Sequence, residues 1–360
     1  MVPNGWEYKK LGVVAELQRG FDLPSAKRLE GSVPIISSGG LSGYHNEVKV
    51  KAPGIVTGRY GSIGDVFFVQ EDFWPLNTAL WVKNFHGNDP KFIYYLLTSF
   101  DFKKFSDKTG VPGVNRNDLH AVKVGVPPLR EQQKIAKILS AWDKAIVTTE
   151  KLISTSKQQK KALMQQLFTG KKRFLDPETG KAFEGEWEEV QLDEISDITT
   201  GSSNREDSSL DGEFTFFDRS EDIRTSSRYL FDSEAVIVAG EGQDFVPKYF
   251  KGKFDLHQRT YAIINIENAI GKFLYFYIGY NRHYFLAQAV GSTVKSLRLP
   301  MFKKMPIILP CLEEQQRIAS VLTAADKEIE LLQTKLAHFK QEKRVLMQQL
   351  LTGKRRVNIN

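Results

Sequence analysis

The sequence predicts an α+β protein in which one unit is written twice: two globular α/β domains with β cores, separated by two long helices that pair as an antiparallel coiled coil in a pseudo-twofold internal repeat. Three observations carry this. Residues 127–173 recur without a gap at 310–356, the recurring segment has a heptad seam, and each copy follows a stretch of short strands and glycine turns.

The repeat comes first because it organises everything else. PPLREQQKIAKILSAWDKAI at Pro127 returns as PCLEEQQRIASVLTAADKEI at Pro310, and KALMQQLFTGKKR at Lys161 returns as RVLMQQLLTGKRR at Arg344. Both lie at one offset of 183, with 24 identities over the 47 pairs from Pro127 to Arg173. A weaker echo precedes each copy at offset 181, where GWEYKKLGVVAELQRG from Gly5 and EWEEVQLDEISDITTG from Glu186 align Trp6 with Trp187, Leu11 with Leu192 and Gly20 with Gly201. The expected organisation is a globular domain at 1–127, a helix at 128–170, a linker at 171–185, a second globular domain at 186–310 and a second helix at 311–353. Outside the echo the globular parts share little, so two copies of one structural device carry two different surfaces.

Residues 131–168 contain neither Pro nor Gly, and apolar or small residues recur at steps of four and three. The first seam runs Ile135, Leu139, Trp142, Ile146, Thr149, Ile153, Ser156, Lys160, Leu163, Leu167. The second runs Ile318, Leu322, Ala325, Ile329, Leu332, Leu336, Phe339, Lys343, Leu346, Leu350. Pro127 and Pro128 stop the preceding strand, Glu131 suits the helix dipole in the first turn, and Gly170 and Gly353 end the two helices. Helices of about 40 residues are about 60 Å long, and each would expose its seam alone. The economical partner is the other copy, antiparallel; parallel pairing between two chains is the alternative. The polar seam positions Ser156, Lys160 and Lys343 imply further helices, or solvent, at those levels.

In the first globular segment GIVTGRYGSIGDVFFV from Gly54 and NTALWV from Asn77 read as strands, followed by a helical DPKFIYYLLTSFDFKKF from Asp89. The second has the same order, with EAVIVAGEG from Glu234, HQRTYAII from His257 and GKFLYFYIGYNRHYFLAQA from Gly271.

Composition sets the outer bounds. At 360 residues with 41 % hydrophobic and 11 % aromatic content the chain exceeds a comfortable single core and folds as a globular protein. A lone cysteine, Cys311, excludes a disulfide framework or Cys-rich zinc site and reads as a small buried apolar residue. No charged start leads into an apolar leader and no apolar run approaches the roughly 20 residues of a membrane span, so the expectation is a cytoplasmic protein away from membranes.

A net charge of +7 favours a polyanionic partner. Residues 128–173 hold 11 basic against 3 acidic side chains, whereas 174–309 hold 15 against 22. Most of that acidity is in 174–199, with nine acids and one Lys, so any surface that meets a polyanion is local.

Several loops combine Gly with polar and basic residues, as a base-reading surface requires. GRYGSIG offers Arg59, Tyr60 and Ser62; the others offer Arg19, Ser38, Asn77, Lys108, Asn115, Arg116, Ser203, Asn204, Arg205, Gln258, Arg259, Lys295 and Arg298. The plain alternative at each is a tight turn with solvated side chains. His257 reads as a structural histidine, because no His, Cys or acidic cluster is spaced to make it a metal ligand. No Walker motif, GxGxxG, HExxH, GxSxG or Asp/Asn-Pro-Pro-aromatic motif occurs, so no catalytic residue, metal or cofactor is expected in this chain.

The PPLxEQQxIA start, the heptad helix and the LMQQLxTGKxR end, occurring twice behind two unlike domains that each open with Trp, resemble the specificity subunit of type I restriction-modification enzymes over essentially the whole chain. The resemblance implies that each globular segment is a target recognition domain reading one half of a bipartite, asymmetric site in double-stranded DNA, with the helices as spacer. It further implies docking of two modification subunits, which hold S-adenosylmethionine and methylate adenine, and of restriction subunits that use ATP and magnesium. Two readers on one face of a duplex would address half-sites about one helical turn apart, roughly 34 Å. The competing readings are a coiled-coil scaffold and a stand-alone DNA-binding regulator.

Overall fold

In the computed structural model, which describes residues 3–105, 113–176, 178–220 and 222–358, the chain condenses into two units. Unit 1 joins 1–151 to 334–360, and unit 2 is 152–333. Each therefore contains one globular domain, the first half of the helix that follows it, and the second half of the other helix.

Unit 1 begins with β1 (Glu7–Lys10), β2 (Glu16–Arg19), β3 (Val33–Ser37), β4 (Gly40–His45), β5 (Gly54–Gly58), β6 (Val66–Val69), β7 (Trp74–Pro75) and β8 (Ala79–Asn84). Then follow α1 (Pro90–Thr98), α2 (Arg116–Ala121), β9 (Lys123–Val126) and the first 23 positions of α3 (Leu129–Phe168). One sheet has the order β2-β8-β5-β6, a second β4-β3-β7, and β1 pairs with β9 beside the start of α3. Asp89 caps α1 through Phe92 N at 2.8 Å, with Pro90 at the first helical position. The helix stops at Thr98, and Phe102–Phe105 form a separate 3-10 turn rather than its continuation. The core packs α1 (Phe92, Tyr95, Leu96) against Leu17, Ile55 and Leu80 of the sheet and Ile135 and Leu139 of α3.

Unit 2 repeats the plan with β10 (Glu188–Gln191), β11 (Asp197–Thr200), β12 (Ser208–Ser209), β13 (Phe214–Phe217), β14 (Arg224–Ser226), β15 (Phe231–Ala239), β16 (Glu241–Gly242), β17 (Lys248–Leu256) and β18 (Thr260–Ile264). It closes with α4 (Gly271–Tyr280), α5 (His283–Gln288), β19 (Lys295–Ser296), α6 (Leu299–Lys303), β20 (Pro306–Leu309) and the start of α7 (Leu312–Leu351). Most of its strands form one seven-stranded sheet, β11-β18-β15-β17-β13-β14-β12, while β10 pairs with β20 and β16 with β19. The reason is β17: its residues 248–254 pair antiparallel with β15 and, at the far end, 254–256 pair parallel with β13. In unit 1 the corresponding run is broken into β6 and β7, and β7 alone pairs parallel with β3, so the sheet is split.

The helices behave as the seams predict. Within unit 1 the early part of α3 faces the late part of α7, and within unit 2 the late part of α3 faces the early part of α7, so each pairing is antiparallel. Ile135, Leu139, Ile318 and Leu322 are fully buried, as are Leu167 and Leu350 to within a few per cent, with Ile153 and Ile329 close behind. Trp142, Ile146, Leu163, Leu332, Leu336, Phe339 and Leu346 are half-buried. Trp142 meets Phe339 edge to face at 5.6 Å.

One expectation for the seam is corrected. Lys160 and Lys343 need no further helix: Lys160 pairs with Asp326 and Lys343 with Asp143, each at 2.5 Å. The two pairs are the same pair at offset 183, and they fix which stretch of one helix lies against which stretch of the other.

The motifs at the helix ends form a second matched set. Gly170 (φ 68°) and Gly353 (φ 70°) take the left-handed conformation that ends each helix, and the N–H of Lys172 and of Arg355 closes back on the carbonyls of Gln166 and Gln349 at 3.1 Å. This reversal delivers Arg173 to the buried Glu314 at 2.7 Å, and Arg356 to the buried Glu131 at 2.7 Å. Next to each glutamate, Gln132 ties Asp89 N and the Pro127 carbonyl, and Gln315 ties Ile270 N and the Pro310 carbonyl, all at 2.9 Å. The repeated EQQ and TGKxR motifs are thus the two sides of one joint. Cys311, beside it, is exposed rather than buried, because it stands before the first turn of α7 on the solvent side.

Candidate nucleic-acid interface

The polar loops of unit 1 converge at one corner of the β2-β8-β5-β6 sheet. Gly20 follows β2, and a Cβ there would lie 2.1 Å from the Leu76 carbonyl oxygen, so only glycine lets this loop run against the turn before β8. On that loop Asp22 accepts from Arg19 at 2.8 and 3.0 Å and from the carboxamide nitrogen of Asn77. The next carbonyl, that of Thr78, accepts from Arg59 N at 2.9 Å and Tyr60 N at 3.1 Å, which brings the GRYGSIG loop to the same place. The Arg59 guanidinium lies over the Tyr60 ring, 4.5 Å from its centre, and Tyr60 is exposed. Ser38 N reaches Thr78 Oγ1 at 3.4 Å, and exposed Ser62 completes the turn after Gly58.

Val114 N donates to the Arg59 carbonyl at 2.9 Å, so the segment entering α2 starts beside this corner. Asn115 caps α2, its oxygen accepting from Asn117 N at 2.9 Å, which leaves Arg116 as the exposed cation there. Lys108 lies outside the described residues.

Unit 2 builds the equivalent corner. A Cβ on Gly201 would lie 1.7 Å from the Leu256 carbonyl oxygen. Gln258 Nε2 donates to Asn204 Oδ1 at 2.7 Å. Arg205 donates to Ser220 at 3.1 Å and faces Asp218 at 3.7 Å; Arg259 binds Glu241 at 2.9 Å, and Arg219 stands 3.6 Å from the same carboxylate. Lys295 pairs across β16 and β19 with Gly242, next to Glu241, while Arg298 begins α6 as an exposed residue. The acids hold the guanidinium groups in place and reduce the local net charge, so this corner orients donors more than it concentrates charge.

His257 is a structural acceptor here: its Nδ1 takes the Arg259 N–H at 3.0 Å. Burial pushes its pKa below the ordinary histidine value; Asp218 and Glu241 oppose this, and Arg259 and Arg219 add to it. Among the described residues no group of His, Cys, Asp and Glu is arranged to hold a metal ion.

Ser203 is corrected as a candidate. Its side chain is fully buried, donating to Asp255 at 2.5 Å and accepting from Arg228 at 2.9 Å, so it supports the loop and offers nothing to a ligand. Arg219 and Asp22 are the participants that sequence reasoning missed. DRSED and GFD carry no spacing signal, and only the fold places them beside Arg259 and Asn77.

Two unlike polar corners, each carried on a matching helix frame, define a class: a duplicated recognition protein. Two stretches, 3–156 and 184–341, match the model of the type I restriction modification DNA specificity domain, and the chain belongs to that family. Its subunits are non-catalytic recognition subunits. The chain is 27 % identical to the type I restriction enzyme MjaVIII specificity subunit of Methanocaldococcus jannaschii over 406 aligned positions, covering 100 % of this chain and 95 % of the relative. It is 30 % identical over 167 positions to the EcoDI specificity subunit of Escherichia coli, covering 46 % and 37 %. Among solved structures, the S subunit of a type I restriction-modification system from M. genitalium superposes with a TM-score of 0.72 at 17 % identity, and the HsdS subunit from Thermoanaerobacter tengcongensis with 0.51 at 16 %, each covering 98 % of both chains. These share the fold. Among the described residues no helix is long and apolar enough to cross a membrane.

Proposed function

We propose that this chain is the DNA-specificity subunit of a type I restriction-modification complex, that the domain at 1–127 reads one half of a bipartite asymmetric site, and that the domain at 186–310 reads the other. The segments 128–170 and 311–353 act as spacer helices, with 171–185 as linker. Two modification subunits dock on the helical frame and supply adenine-N6 methylation, and ATP-dependent restriction subunits join that core. Every cofactor of the reaction belongs to those partners, and the assembly works on DNA in the cytoplasm.

One observation carries this reading: the joint pairs, the Lys–Asp pairs and the ends of the seam are duplicated at one offset, whereas the polar corners share almost no side chain. A protein under selection to scaffold would have no use for two differently furnished corners on one repeated frame. A pure scaffold never shifts DNA in a gel, and a stand-alone regulator shifts it without modification subunits.

The test is methylome sequencing of a host expressing this chain with its modification subunits. Exchange of residues 1–127 for the first domain of another family member changes one half-site only. Deleting one heptad from both helices changes the gap and leaves both half-sites intact; an altered half-site would sink the spacer role.

A further inference from the structure

Asn77 and Gln258 occupy the same place in their units. They stand 181 residues apart, the offset that aligns Trp6 with Trp187 and Gly20 with Gly201. Each lies in the turn into the inner strand, β8 or β18, and each donates from its carboxamide nitrogen to the loop that follows the aligned glycine. Asn77 donates to Asp22, and Gln258 donates to Asn204 at 2.7 Å. The backbone repeats too, since Thr78 O accepts from Arg59 N at 2.9 Å and Arg259 O from Gly240 N at 2.8 Å.

The tether leaves a defined remainder. A carboxamide has two N–H donors and one acceptor oxygen, and the tether uses one N–H. Asp22 is a carboxylate and only accepts, so the Asn77 nitrogen must face it and the oxygen must point away. Neither carboxamide oxygen accepts a hydrogen bond among the described residues. What remains on each is an oxygen and one N–H in the plane of the carboxamide, fixed in orientation at Asn77 by the carboxylate and held in place at Gln258 by a second carboxamide, with Gln258 exposed and Asn77 half-buried. That pair is complementary to the N6 donor and N7 acceptor of adenine in the major groove. Arg19 beside Asn77 and Arg259 beside Gln258 supply cations at the same two corners, each anchored to its own carboxylate.

We propose that Asn77 and Gln258 are the paired specificity-determining residues of the two domains, each reading one adenine of its half-site through a carboxamide pre-oriented by the loop it is tethered to. This rests on the half-site reading above. The two residues share no motif and differ in length, and only the shared offset and tether identify them as counterparts.

The experiment uses the full chain with its modification subunits and reads every methylated motif by sequencing. Asn77→Ala relaxes one adenine position in one half-site, and Gln258→Ala relaxes one adenine position in the other, by on the order of ten- to a hundred-fold in preference. The untouched half-site remains strict and serves as the internal control for folding. Should Gln258→Ala fail to fold, the isosteric Gln258→Glu decides: it has no N–H, the Asn204 carboxamide turns its own nitrogen to one carboxylate oxygen to keep the tether, and the other oxygen moves preference at that position from adenine toward cytosine, whose N4 donates. Uniformly weaker methylation with unchanged base preference would make these phosphate contacts and overturn the proposal. Relaxation at a position other than adenine would overturn it equally. A wild-type chain that directs no bipartite methylation would refute the specificity-subunit reading itself, so the two failures are distinguishable.

Discussion

Unit 1 closes its joint with an arginine from the segment after α7, and unit 2 with an arginine from the linker after α3. The two are chemically the same pair, yet they are not equally enclosed. Glu314 and Arg173 are 1 % and 21 % exposed, whereas Arg356 on the fully buried Glu131 is 40 % exposed. Glu131 also accepts from Trp6 Nε1 at 3.1 Å, while Trp187 lies only beside the Arg173 guanidinium, its ring centre 5.8 Å away. A duplicated frame thus keeps its charges and varies their enclosure, and the globular parts keep a few anchors, such as Leu11 and Leu192 and the glycines that let their loops approach, while varying most of the rest.

The sharpest way to break this comparison is to remove each cation. Arg173→Ala leaves a buried carboxylate without its partner and is expected to destabilise unit 2 by about 3–5 kcal/mol. Arg356→Ala costs unit 1 less, about 1–2 kcal/mol, because solvent reaches that guanidinium and Trp6 still donates. Hydrogen exchange of the first turns of α7 and α3 measures the two losses; equal protection would show that enclosure does not set the strength of the joint.

Next come the glycines. Gly20→Ala and Gly201→Ala each force a methyl group onto a carbonyl oxygen, and each is expected to cost about 1–3 kcal/mol in a urea melt. Gly201→Ala should cost more, since its contact is the closer at 1.7 Å against 2.1 Å.

A smaller effect tests the seam. Tyr95 donates to Asp143 at 2.5 Å and meets Ser140 at 3.1 Å, and burial with that bond to Asp143 raises its pKa. At the equivalent place in unit 2 stands Phe276, over which Lys160 lies 5.0 Å from the ring centre. Tyr95→Phe makes unit 1 resemble unit 2 and is expected to cost about 1 kcal/mol, measured by the same melt.

The smallest expected effect is on pH. His120 Nε2 accepts from Leu17 N at 2.8 Å, and burial, aided by Arg116 and opposed by Glu16, lowers its pKa as burial lowers that of His257. Both rings are favoured neutral in the folded state, so the unfolded chain binds more protons once pH drops below about 6.5. Their contribution is fully present above that value and is lost as pH falls from there through the folded pKa values. A melt series from pH 7.5 to 5 should show stability falling with acid, and His120→Gln should flatten the part of the slope that belongs to unit 1.

Much of the fold was legible in the sequence. The offset of 183 announced the two helices, and the seam residues from Ile135 to Leu350 are buried or half-buried as the heptads require. The corners were legible only as sets of loops. Arg19, Arg59 and Asn77 could be named, but Asp22, which joins Arg19 to Asn77, carries no pattern of its own. Ser203 shows the opposite failure, because a polar residue among glycines reads as exposed until Asp255 is found beneath it.

The sequence by itself determined the duplication, the helix lengths and ends, and the heptad pattern, all of which are local or translational regularities. Tertiary structure alone decided the partners: Glu131 and Arg356 are 225 residues apart, Lys343 and Asp143 are 200 apart, and β17 rather than any motif decided whether the sheet is split or continuous. The physical reason is that helix ends and apolar periods are set by neighbours along the chain. A buried charge, by contrast, is satisfied by whichever opposite charge the folded backbone delivers, and nothing in the spacing records which one that will be.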